Sequence, residues 1–151
     1  MAPISFGPIQ IRVADALIPL AAIFGWPVVV GAGLGCLAAN AYYSLGWIDV
    51  ILGPLANLVS AYLVFILRRR LFIACTLGAL PIGFIVGGYL WLLLPPPSVF
   101  GLDLPSWAAM IVSITSSTLL ATAGLGYLLL KTMARKEILE PLKLRGLRIY
   151  Q

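Results

Sequence analysis

The chain has 151 residues, of which 62% are hydrophobic and only 10% charged, with a net charge of +5 and a mean hydropathy of +1.06. A soluble domain carries roughly a quarter charged residues, so this chain lacks the polar groups to cover a water-facing surface and reads as an integral membrane protein. Its positive charge argues against nucleic-acid binding by its placement, because Arg68, Arg69 and Arg70 and then Lys131, Arg135, Lys136, Lys143, Arg145 and Arg148 flank apolar runs, which is how basic residues set orientation in a bilayer.

The first element follows "FGPIQIRVADAL", which places Arg12 and Asp15 three residues apart at the head of an apolar segment, 13–24, that stops at Gly25-Trp26-Pro27. At about 1.5 Å per residue this segment covers around 18 Å, short for a hydrocarbon core of about 30 Å, and predicts a short, tilted or re-entrant helix. Four further segments follow at Pro27–Leu45, Trp47–Leu67, Leu71–Leu94, stopped by Pro95-Pro96-Pro97, and Ser106–Leu130. Long apolar runs without period-two alternation predict an all-α membrane bundle of about five helices. Residues 1–134 form its transmembrane domain and residues 135–151 a basic cytoplasmic tail.

Placing Arg68–Arg70 inside puts the loop 95–105 outside and returns the basic tail to the cytoplasm. The same alternation puts the Arg12 end outside, so a further helix is expected upstream of Met1. No cleavable signal peptide is visible, since a basic region followed by an apolar core and a small-residue cleavage site is missing from the start of the chain.

On this topology the intramembrane polar residues gather near one side. Arg12, Asp15, Asn40, Asp49 and Asn57 fall there, with Ser113, Thr115, Ser116, Ser117 and Thr118 of the fifth segment. The aromatics Tyr42, Tyr43, Trp47, Tyr89, Trp91 and Trp107 fall toward the same rim. A charge at the centre of a membrane helix costs about 2.5–3.5 kcal/mol on insertion scales and therefore pairs or lines a cavity. Two readings stand: an interfacial Arg12–Asp15 ion pair under an aromatic belt, or a polar, aromatic-walled pocket open to the outside.

Two ridges of small residues, Gly31, Gly35 and Ala39, then Ala79, Gly83 and Gly87, read as surfaces for close helix packing. "GLGCLA" matches a dinucleotide fingerprint in letters but neither follows a strand nor opens a soluble βαβ unit, and reads as part of the first ridge. Cys36 and Cys75 lie inside apolar segments and read as small hydrophobes. There is no histidine, so a Ser-His-Asp arrangement is impossible; no catalytic residue, metal site or cofactor is expected. No phosphate-binding G-x-x-x-x-G-K-[ST] loop occurs, so any ATPase driving this protein is another chain.

"APISFGPIQIRVADAL" resembles the signature of the QueT family, and the likeness continues through "GLGCLAANAYYSLGWIDVILGPLANLVSAYL" to about residue 70. Beyond it the likeness is mainly hydropathy, with "LGYLLLK" closing the fifth segment. The resemblance implies a substrate-capture S-component of an energy-coupling factor transporter in a prokaryotic plasma membrane, taking up queuosine precursors, which are deazapurines. It also implies docking onto a membrane coupling subunit and two ATPases. The family's polar positions carry over to Gln10, Arg12, Asn40 and Asp49, with Asp15 in place of the usual Glu, while Asn57 stands among departures in the third segment. Tyr43 and Trp47 (or Tyr42) are expected to stack on the ligand ring. The family usually has six helices, and many members carry a Gly-Glu pair where this chain has the run around Ser116. The competing readings are a helical scaffold or assembly subunit that transports nothing, and a small carrier that acts alone.

Overall fold

The computed structural model describes residues 13–43, 45–95 and 104–150. Among them every regular element is helical, as the long apolar runs predict. A 3-10 segment, Val13–Leu20, passes directly into the short helix α1, Ala21–Phe24. Helices α2 (Trp26–Tyr43), α3 (Trp47–Ile66) and α4 (Leu71–Leu90) then run back and forth. Helix α5 (Ser106–Leu119) widens into a π-helical stretch, Leu120–Gly126, and ends as α6 (Tyr127–Met133).

Three of these helices are long and apolar enough to cross a membrane: Trp47–Ile66, Leu71–Leu90 and the continuous run Ser106–Met133. The other two of the five apolar segments are also helical but fall short of that measure, for a physical reason. Val13–Phe24 is too short, and α2 is diluted by its glycines, Asn40, Tyr42 and Tyr43.

Buried side chains from several helices meet in one core, including Ile18, Val64, Cys75, Ile82, Leu90, Met110, Ile114 and Leu130. In lipid, burying apolar surface between helices gains little over leaving it among acyl chains, so close packing and interhelical hydrogen bonds hold the bundle together. Two hydroxyls on buried residues serve this purpose. Ser60 on α3 donates to the carbonyl of Gly78 on α4. The single Thr122 hydroxyl proton is shared between the carbonyl of Cys75 on α4, at 3.0 Å, and that of Thr118 one turn back, at 2.9 Å. Leu34, Ile51, Leu55, Phe72, Phe84, Leu120 and Leu128 point outward, as lipid-facing side chains must.

The two irregular stretches lie against each other. Pro19 removes a backbone donor from the 3-10 segment, and that segment packs on the π-helical stretch. Their approach is close: a Cβ on Gly126 would sit 2.7 Å from Cγ of Pro19 and 2.9 Å from the carbonyl oxygen of Ala16. At the other end of the first segment, Gly25 adopts a left-handed backbone, φ 67°, that separates α1 from α2.

Where the sequence predicts only a basic tail, residues Lys136–Leu144 form a seventh helix, α7, with Leu139 buried. The chain then turns back, and the Tyr150 N–H donates to the carbonyl of Ile23 at 2.9 Å. Its ring stands edge-on to Phe65 with centroids 5.1 Å apart.

Candidate functional site

Between the 3-10 segment, α2 and α3 lies a cavity of about 540 Å³, within the range of small-molecule sites. Asp15, Asn40, Asp49 and Asn57 all line it and all are buried. The sequence brings these residues from positions up to 42 apart, 15 to 57, and the fold collects them around one space. The remaining walls include Leu17, Ile18, Leu20, Pro27, Val28 and Leu45.

Each polar side chain is held from behind. Asn40 Nδ2 donates to the backbone carbonyl of Asp49 at 2.9 Å, tying the end of α2 to the start of α3. That reach requires Gly53, because a Cβ there would collide with the Asn40 amide nitrogen. Asp49 accepts a hydrogen bond from the Tyr89 hydroxyl at 2.6 Å, across to α4. Asp15 accepts one from Thr118 on α5 at 3.3 Å. Asn57 Nδ2 donates to the carbonyl of Gly53 one turn earlier, at 3.1 Å.

Thr118 lies near the middle of the helical run Ser106–Met133. Its bond to Asp15 therefore sets that carboxylate well inside the bundle, deeper than the rim position expected from the start of the first segment. Asn57 lies eight residues along α3 from Asp49, about 12 Å. The polar groups thus line a shaft running inward, and they are not a single ring at the surface.

The other sequence candidates fall elsewhere. Gln10 and Arg12 lie outside the described residues. Tyr43 and Trp47 do not line the cavity: they are 48% and 75% exposed, and Tyr43 meets Tyr42 edge-on with centroids 5.1 Å apart. Tyr89, grouped by sequence with the rim aromatics, is instead buried and bonded to Asp49. Among the described residues, then, the faces of the cavity are aliphatic.

The two small-residue ridges behave differently. Gly83 and Gly87 on α4 lie hard against α5, where a Cβ would meet Thr115 and Ile111; at Gly87 it would fall 2.6 Å from the Ile111 Cα. Among the described residues, Gly31 and Gly35 on α2 have no atom within 4 Å of such a Cβ, and with Ala39 they line the cavity. Among those residues the first ridge makes room for the space between helices and does not close a helix contact. Tyr89 and Thr118, which the sequence groups with the rim aromatics and the polar run without giving them a role, orient the two carboxylates, and Cys36, read there as a small hydrophobe, lines the cavity.

Chemically the site offers two carboxylates and two primary amides to a ligand's polar edge, with aliphatic walls for its faces. Such groups bind and orient a ligand.

A family profile described as "QueT transporter" matches residues 1–135. The chain is also similar to the queuosine precursor transporter QueT of Lactococcus lactis subsp. cremoris (strain MG1363), with 37% identity over 70 residues. That alignment covers 46% of this chain and 40% of the relative, so this likeness spans less than half of either protein. No solved structure matches the chain.

Proposed function

This chain belongs to the QueT transporter family, and from that premise we propose that it is the substrate-capture subunit of an uptake transporter. Its ligand is a small heteroaromatic compound, a queuosine precursor or a close relative. The observation that carries this reading is the convergence of Asp15, Asn40, Asp49 and Asn57 on one cavity inside an apolar bundle. Buried ionisable and amide groups are expensive in a membrane and mark a substrate path. The aliphatic walls suit the faces of a ring, and carboxylates and amides suit the N–H and C=O groups along its edge.

The positive-inside rule places the Arg68–Arg70 end and the tail in the cytoplasm, and on this reading the substrate enters the cavity from the outside. Residues 1–134 are then the membrane domain and 135–151 a cytoplasmic segment docked beneath it. Energy for uptake comes from a separate module, a membrane coupling subunit with two ATPases, since the chain has no phosphate-binding loop. The role is binding and delivery without chemistry on the substrate.

Affinity purification from native membranes tests the assignment. The capture reading expects a membrane coupling protein and ATPases to copurify and the purified chain to bind a deazapurine queuosine precursor. Binding without copurified ATPases, together with uptake into vesicles, would make the protein a carrier acting alone. Neither binding nor copurification would leave a scaffold role.

A further inference from the structure

A second cavity, of about 500 Å³, lies at the basic end of the bundle. Ala22, Ile23, Leu71 and Ala134 form its apolar wall, and Arg68, Arg69 and Tyr150 its polar side. We propose that it binds one anionic phospholipid, with the phosphate on the two guanidiniums and an acyl chain along the apolar wall.

The depth fits. Arg68 follows the end of α3 at Ile66, which lies seventeen positions beyond Asp49, about 26 Å at helical rise, close to the thickness of the hydrocarbon core. The second cavity therefore lies where headgroups are if the first opens near the other surface. Basic pockets between membrane helices on the cytoplasmic side are known to take anionic headgroups.

The polar side is prearranged. Arg68 Nη1 donates to the Phe65 carbonyl at 3.0 Å. Its guanidinium carbon stands 4.7 Å from the centre of the Phe65 ring and 5.6 Å from that of Tyr150. A planar guanidinium held this way keeps further N–H groups for a phosphate, which it recognises through paired hydrogen bonds. Arg69 is exposed beside it. Tyr150 also closes the cavity over Gly25, where a Cβ would lie 2.6 Å from its ring.

Mixed chemistry selects a lipid. A free phosphate or an acidic peptide would use the arginines alone; a phospholipid would also lie against the half-buried Leu71 and Ala134. The six cations Lys131, Arg135, Lys136, Lys143, Arg145 and Arg148 of the following segment add a favourable field without forming the cavity.

The full chain in nanodiscs of phosphatidylcholine, with and without phosphatidylglycerol, provides the test, read by melting temperature and by native mass spectrometry. Phosphatidylglycerol is expected to raise the melting temperature and leave one bound lipid. Arg69→Gln should lose at least half of the shift and the bound lipid, and Arg69→Lys should lose less. Arg148→Gln should keep both. Each variant's melting temperature in phosphatidylcholine alone reports its folding. An equal loss in Arg148→Gln would assign the effect to diffuse surface charge and overturn the site. So would the absence of any shift, or an equal shift from soluble glycerol phosphate in phosphatidylcholine discs.

Discussion

The hydroxyl of Tyr89 donates to Oδ1 of Asp49 across 2.6 Å, joining the far end of α4 to the first turn of α3. This bond fixes a carboxylate that faces the larger cavity, so a residue outside the cavity controls the geometry inside it. Removing a single hydrogen bond typically lowers stability by roughly 0.5–1.5 kcal/mol. Tyr89→Phe is therefore expected to lower the melting temperature modestly and to weaken deazapurine binding by about 3- to 10-fold, measured by titration calorimetry on the purified protein.

Thr118 plays the matching part for Asp15 from α5. Thr118→Val preserves shape but removes the donor, and it also removes nothing from the aliphatic walls. Weaker binding in the valine variant with recovery in Thr118→Ser is the expected pattern in the same titration. Wild-type binding in the valine variant with loss in Thr118→Ser would point to packing of the γ-methyl group instead of the hydroxyl.

Gly53 separates a cavity effect from a folding effect. A methyl group there would displace the Asn40 amide from the Asp49 carbonyl. Gly53→Ala is expected to abolish that bond and reduce substrate affinity by at least tenfold, about 1.4 kcal/mol, with the effect checked by binding and by thermal melting in parallel.

The two glycine ridges predict opposite phenotypes. At Gly87 an added Cβ would fall 2.6 Å from the Ile111 Cα and 3.0 Å from its backbone nitrogen, atoms that move only if α5 moves. Gly87→Val is expected to destabilise the bundle by about 1–3 kcal/mol, the usual range for overpacking. At Gly31 the space is open among the described residues, so Gly31→Leu should fold normally and block the cavity. Thermal melting and ligand binding, measured on both variants, distinguish the two roles.

Much of this architecture is legible in the sequence because a bilayer restricts what a chain can do. Backbone groups must be satisfied within helices, so long apolar runs announce them, and the bounds expected for α3 and for the start of α5 agree closely with those found. The four polar residues of the cavity are legible for a related reason: Asp15, Asn40, Asp49 and Asn57 are too unfavourable in lipid to be there without a partner or a space. Tyr89 was not legible as a support, since a tyrosine near a helix end reads equally well as an interfacial anchor. The direction of the Gly31 ridge was hidden because small residues signify only missing bulk. That lack of bulk admits a neighbouring helix at Gly87 and a cavity at Gly31. The irregular stretches Val13–Leu20 and Leu120–Gly126 depend on each other's packing, which no local pattern encodes.

Titration calorimetry with a deazapurine queuosine precursor on the wild-type chain and on Asp15→Asn and Asp49→Asn tests the central claim most directly. Both substitutions keep side-chain size and an acceptor oxygen for Thr118 or Tyr89. The account predicts measurable binding to the wild type, a loss of at least about tenfold in each variant, and unchanged melting temperatures. Wild-type affinity in both variants would show that the cavity bounded by these carboxylates is not where the substrate binds.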